Sequence, residues 1–233
     1  MADASFDRPP APGFTALVVG RWPWWAIAVG LVGLVVTAPI AMAGAPGSAE
    51  IAVFRWFNDP PRLIGAVTAL VNPLLRPVGL TVLIVAAVVL LALTRRAVFW
   101  RLITSAIAAG ILAYLVDNAL KLIVDRGRPP EYLSDVLFHG YPTNPHGSGY
   151  PSSHVAVAVA VVLGAWPWLD RRWRVGGVVV AVMIGLNRMY VGAHLPLDIV
   201  GGVAVGLVCG AIVVVVAERV TARWQRPSRW HWP

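Results

Sequence analysis

Of the 19 basic side chains in this sequence, one is a lysine, Lys121. It stands four residues after Asp117, near the end of an apolar run. An ionisable residue in such a run is costly inside a membrane and is read by default as functional. Seven positions on comes Arg128, followed by Pro129. Seven residues are nearly two helical turns, so the two cations share a face if the helix continues. Together they would make an anion site, with lysine as a compact charge and arginine as a planar fork that holds two phosphate oxygens.

A second group, Ser152-Ser153-His154 after Pro151, opens another apolar run. A helix N-terminus offers free N–H groups and a partial positive charge, which suits phosphate. The serine hydroxyls add donors, although either serine also suits a plain N-cap. A buried imidazole at that place needs a partner. The third group is Asn187-Arg188, His194 and Asp198. His194 and Asp198 are four apart and so share a helix face. An aspartate that accepts from one imidazole nitrogen fixes the tautomer and leaves the other nitrogen free to attack. Standing alone, the same pair also reads as purely structural. Three cations, two histidines, an aspartate and a helix N-terminus suit phosphoryl transfer, where positioning and charge stabilisation dominate.

The elements that must carry these groups are membrane helices. The chain is 58% hydrophobic and 13% charged, with mean hydropathy +0.72. A water-soluble domain so apolar would be adhesive over its whole surface. Apolar stretches of the length that crosses ~30 Å of hydrocarbon recur along the chain. They predict an all-α, polytopic bundle of six transmembrane helices, at about 22–43, 77–94, 98–124, 152–169, 175–191 and 196–217. Between the first two, residues 51–57 read as an interfacial segment, in a region that Pro60, Pro61, Pro73 and Pro77 interrupt. Residues 170–174 read as a tight turn.

Arginines gather at the ends of the apolar runs. Twelve fall on the segments assigned to the inside, and six plus Lys121 on the outside. This bias sets both termini in the cytoplasm and the external loop 125–152, with the three groups above, on the extracytoplasmic side of the plasma membrane. The organisation expected is a cytoplasmic segment 1–21, a six-span domain 22–217 and a basic cytoplasmic tail 218–233. The net charge of +8 is thus spent on membrane anchors, and no nucleic-acid partner is expected. Cys209, the one cysteine, has no internal partner for a disulfide and reads as a small packing residue. Nothing in the sequence indicates the oligomeric state.

Lys121-x6-Arg128-Pro129, Pro151-Ser152-Ser153-His154 and Arg188-x5-His194-x3-Asp198 resemble, in order, the three signature motifs of the type 2 phosphatidic acid phosphatase superfamily, which includes bacterial lipid phosphatases and vanadium haloperoxidases. The resemblance implies that His194 attacks phosphorus to form a phosphohistidine and that Asp198 orients it. His154 would protonate the leaving oxygen and then activate water. Lys121, Arg128 and Arg188 would hold phosphate oxygens, with Pro129 fixing the chain, helped by Ser152 and N–H groups near Ser153. No metal and no cofactor is implied. Ser153 stands where the family usually has glycine, and Asn187 where it usually has serine. The expected activity is hydrolysis of a lipid phosphate or diphosphate, with polyprenyl diphosphate favoured for cell-wall lipid recycling over phosphatidate or phosphatidylglycerophosphate. Lipid phosphotransfer and a non-catalytic lipid carrier are the remaining readings. The histidines at 139 and 146 in the loop have no ligand spacing that supports a metal site.

Overall fold

The computed structural model describes residues 20–75, 77–94, 98–139 and 147–224, and all elements among them are helical. In chain order they are α1 (Trp22–Met42), α2 (Ser48–Asn58), α3 (Arg62–Leu75), α4 (Pro77–Thr94), α5 (Phe99–Val124), α6 (Pro129–Tyr132), α7 (Ser153–Ala165), α8 (Arg171–Tyr190) and α9 (Pro196–Trp224). A 3-10 turn, Trp166–Trp168, follows α7.

Among the described residues, three helical stretches are long and apolar enough to cross a membrane: Trp22–Met42, Phe99–Tyr132 (α5 with the turn and α6 that follow it) and Pro196–Ala222. The helices Arg62–Leu75 and Ser153–Trp168 are apolar but shorter. Their outward faces carry aliphatic side chains such as Val35, Leu63, Leu70 and Leu122, which are exposed. Such a surface matches hydrocarbon better than water.

The interior is built on small residues. Ala109 and Ala113 of α5, Ala156 and Ala160 of α7, and Val205 and Cys209 of α9 form a cluster from which solvent is excluded. Without a hydrophobic drive between helices in lipid, close backbone approach is the main source of cohesion. Gly202, Gly206 and Gly210 recur at one-turn intervals along α9. A Cβ at these positions would lie 2.7, 2.7 and 3.0 Å from the carbonyl oxygens of Ser152, Ala156 and Ala160. The stripe presses α9 against α7, and α5 packs against both. It therefore sets the start of α7 against the start of α9. α1 packs along α9, and α2 reaches α8 and α9.

Several boundaries differ from expectation for local reasons. α5 does not continue to Arg128. Asp125 takes the left-handed conformation (φ 40°) and ends it, so a turn carries Arg128 where helical phase had been expected to. The proline-interrupted region forms two helices, and Pro73 sits inside the last turn of α3. The expected tight turn 170–174 is the start of α8. There the Asp170 carboxylate accepts from the Arg172 and Trp173 N–H groups at 3.1 and 3.2 Å, satisfying donors that a helix start leaves open. α9 runs on to Trp224, so the tail begins as helix. Arg95, Arg96, Tyr141, His146, Arg226 and Arg229 lie outside the described residues.

Candidate active site

The three groups of polar residues meet at one end of the bundle. Lys121 comes from the last turn of α5, Arg128 from the turn before α6, His154 from the first turn of α7 and Arg188 from the last turn of α8. Asp198 lies in the first turn of α9, and His194 just before it. His154 lies in the field of Arg188, His194, Lys121 and Arg128, and His194 in that of Asp198, Arg188 and Arg128. Arg128 and Arg188 repel each other, so this is a place that an anion would relax. Pro129 is buried as the first residue of α6 and holds the turn that delivers Arg128.

Lys121 is tethered. Its Nζ donates to the Asp117 carboxylate at 2.8 Å and also to the Ser153 hydroxyl. Ser153 in turn donates to the same Asp117 oxygen. Asp117 is fully buried, and a buried charge of this kind is tolerated only when paired. The extra hydroxyl at 153 thus ties α7 to α5 and aims the lysine. Ser152 occupies the N-cap position without a side-chain cap. Its Oγ is buried with no hydrogen-bond partner among the described residues, as is the Nε of Arg188. Two such groups around one pocket are in place to meet phosphate oxygens.

His194 departs from the simple His–Asp expectation. Its Nδ1 contacts the Gly149 carbonyl at 2.9 Å, whereas the nearer Asp198 oxygen is 3.6 Å away. A carbonyl oxygen can only accept, so Nδ1 carries the proton and Nε2 is the nitrogen left with a lone pair. Gly149, far away in sequence, therefore sets the tautomer. Burial lowers the His194 imidazole below its ordinary value of 6.5, with Asp198 opposing the shift, and the ring is neutral near pH 7. His154 differs as well. Its side chain is exposed where burial had been expected, although it stands among Arg188, Lys121 and Arg128.

Asp198 is engaged elsewhere. One oxygen accepts the Leu195 N–H at 2.8 Å, and the other accepts from Arg126 Nη1 at 3.0 Å. Arg126 is buried, and its guanidinium also grips both oxygens of Glu50 at 3.0 and 2.7 Å. Burial works to lower the charge on Arg126, but the Glu50 hydrogen bonds and the Asp198 charge outweigh it and hold the group above its ordinary range. Sequence reading placed Arg126 in the loop without a role and passed over Glu50. The one available signal was an acidic residue opening an amphipathic segment, which is weak.

The loop histidine His139 is structural. Its Nε2 meets the Asn58 carbonyl at 2.7 Å, and its ring stacks on Tyr190 with centroids 4.2 Å apart. Asn58 also clasps the backbone of Leu137 from both sides. The end of α2 thereby holds residues 137–139 of the loop.

The PAP2 superfamily model matches residues 99–222, which contain all three groups. The lipid A 1-phosphatase of Rhizobium etli is 31% identical over 120 residues, 51% of this chain and 50% of that protein. The undecaprenyl-diphosphatase of Sulfolobus acidocaldarius is 29% identical over 101 residues, 41% of this chain and 46% of that protein. The chain thus spans about half the length of these curated relatives. The crystal structure of a transmembrane PAP2-type phosphatidylglycerolphosphate phosphatase from Bacillus subtilis superposes with a TM-score of 0.58 at 20% identity, covering 86% of this chain and 98% of that one. With the family match running over more than half of the sequence and enclosing all three groups, this chain belongs to the PAP2 superfamily.

Proposed function

We propose that this protein is an integral membrane lipid phosphatase that works through a phosphohistidine on His194. The observation that carries this reading is the His194 ring itself: Nδ1 is bonded to the Gly149 carbonyl, and the free Nε2 lone pair belongs to a ring in the field of Arg128 and Arg188. A lipid phosphate enters with its oxygens on Lys121, Arg128, Arg188, the Ser152 hydroxyl and the first N–H groups of α7. Nε2 attacks phosphorus and the bond to the leaving oxygen breaks, while His154 gives that oxygen a proton. Water then attacks phosphorus, His154 takes the water's proton, the phosphorus–Nε2 bond breaks with its electron pair returning to His194, and inorganic phosphate leaves. Asp198, carrying the nearest negative charge, steadies the cationic imidazole in between. No step calls for a metal.

The six-span arrangement with both termini inside, and a site facing outward at the plasma membrane, is supported by the distribution of arginines and by the gathering of all three groups at one end of the bundle. The lipid tail is assigned to a cavity of about 210 Å³ between α2, α3 and α8, lined among others by Trp56, Phe57, Ile64, Val71, Met183 and Leu186. Asn187, the neighbour of Arg188, also lines it. Polyprenyl diphosphate is favoured because an undecaprenyl-diphosphatase is among the relatives, with phosphatidate and phosphatidylglycerophosphate as competitors. Phosphate release from prenyl diphosphates, phosphatidate, phosphatidylglycerophosphate and lipid A, assayed side by side with purified protein, tests both levels. Release from none of them, or undiminished release by His194→Ala, would overturn the phosphatase reading. Preference for a glycerolipid would overturn only the choice of tail.

A further inference from the structure

The Asp198 carboxylate is the nearest negative charge to His194, yet it is bonded to Arg126. Had the pair stood alone, Arg126 would cancel that charge and leave the imidazolium formed on attack without support. Glu50 changes the balance. It holds Arg126 through two hydrogen bonds and accepts the Leu197 N–H at 3.0 Å, so two carboxylates flank one guanidinium. The group carries one net negative charge, and among its oxygens the Asp198 Oδ2 lies nearest the imidazole.

The same arginine also acts through its backbone. The Gly149 N–H donates to the Arg126 carbonyl, and the Gly149 carbonyl accepts from His194 Nδ1. Arg126 thereby supports both contacts of the His194 ring, one by side chain and one by main chain. We propose that Glu50 and Arg126 are positioning residues for the nucleophile. In this reading Glu50, reaching in from α2, neutralises Arg126 so that the charge of Asp198 remains available to His194. The inference rests on the assignment of His194 as nucleophile.

The charged and titratable groups facing His194 come from every side. They are Asp198 on α9, Arg188 on α8, His154 on α7, and Arg128 with Arg126 on the loop, with Lys121 of α5 beyond His154. Among them the Asp198 carboxylate raises the affinity of the ring for a proton, and the cations lower it, with Glu50 behind Arg126.

Glu50→Gln keeps the shape and removes the charge. In purified protein, kcat is expected to fall by about 10- to 100-fold, by analogy with the loss of hydrogen-bond partners behind metal-ligating histidines, with KM within about twofold because no phosphate contact is lost. Glu50→Asp is expected to recover part of the loss. The double variant Glu50→Gln/Arg126→Gln restores one net negative charge and is expected to turn over faster than Glu50→Gln alone, a recovery that mere structural damage would not give. A kcat equal to wild type in Glu50→Gln, or a double variant slower than the single, would overturn the proposal. An independent readout uses the imidazole resonances of ¹⁵N-histidine-labelled protein without substrate, assigned with His194→Gln. His194 is expected to titrate at lower pH in Glu50→Gln than in wild type, and coincident titrations would overturn the proposal even if no substrate has been found. Absence of phosphatase activity in wild type, with the titration shifted, would instead overturn the functional reading and leave the electrostatic coupling standing.

Discussion

The α5–α7–α9 core and the α2–α3 flank are built on opposite principles. In the core, alanines and the glycine stripe of α9 bring backbones into contact, and the apolar cavity of about 410 Å³ beside it lies where α7 and α9 face α8. In the flank, aromatic and aliphatic side chains of α2, α3 and α8 stand around a cavity of about 210 Å³. The core carries the groups that must stay within a fraction of an ångström of productive geometry. The flank is suited to a tail, whose binding needs apolar area and tolerates slack. Chemistry and substrate choice are therefore separable here, with α2 touching both through Glu50 at one end and Asn58 at the other.

Substitutions in the core should act on turnover or on folding. The largest effect is expected from His194→Ala, which should reduce phosphate release by about 10⁴-fold or more if the ring is the nucleophile, while the thermal unfolding midpoint of the detergent-solubilised protein changes little. Gly206→Val should instead remove the fold, because its side chain would meet the Ala156 carbonyl and Val159 of α7. An overpacking cost of at least about 3 kcal/mol is expected, visible as a large drop in that midpoint. Normal stability of Gly206→Val would mean that the close packing of the core is not what holds the site.

Lys121→Arg tests a smaller matter of geometry. Lys121 is bonded to both Asp117 and Ser153, and a planar fork cannot reproduce that point contact. A loss of about tenfold in kcat/KM is expected, and unchanged kinetics would show the lone lysine to be incidental. The pH profile sharpens the same comparison. Burial lowers the pKa of His194 from 6.5, so the attacking neutral form persists below that pH and is lost only as pH falls through the lowered value. The acid limb of kcat/KM assigned to His194 should accordingly lie below pH 6.5 and vanish when a preformed phosphohistidine is assayed for hydrolysis.

In the flank the expected effects are the smallest and of a different kind. Leu186→Trp would fill part of the cavity beside Asn187. Release from long-chain lipid phosphates should fall by severalfold, about the effect of losing 1–2 kcal/mol of apolar burial, while a short-chain phosphate should be hydrolysed as before. Equal losses on both substrates would end the division of labour between the two regions.

Much of this was legible along the chain. The apolar runs had to become helices, because only internally satisfied backbone survives in hydrocarbon, and the bounds 77–94 and 98–124 came within a residue of α4 and α5. The polar groups were visible because ionisable residues are rare and costly in such a background. Less was visible where a single backbone angle decides. Nothing in the residue pattern marked Asp125 as left-handed, so the route to Arg128 was expected along the wrong geometry.

What the sequence determined by itself was the inventory: the helices, and the cations, histidines and carboxylate at their ends. Tertiary structure alone decided the pairing. Glu50, Arg126, Gly149 and Asp198 are far apart along the chain, and only the packing of α2 and the loop against the start of α9 makes them neighbours of one imidazole. Hydrogen bonds are short-ranged and directional, so which acceptor His194 finds depends on positions that no periodicity encodes.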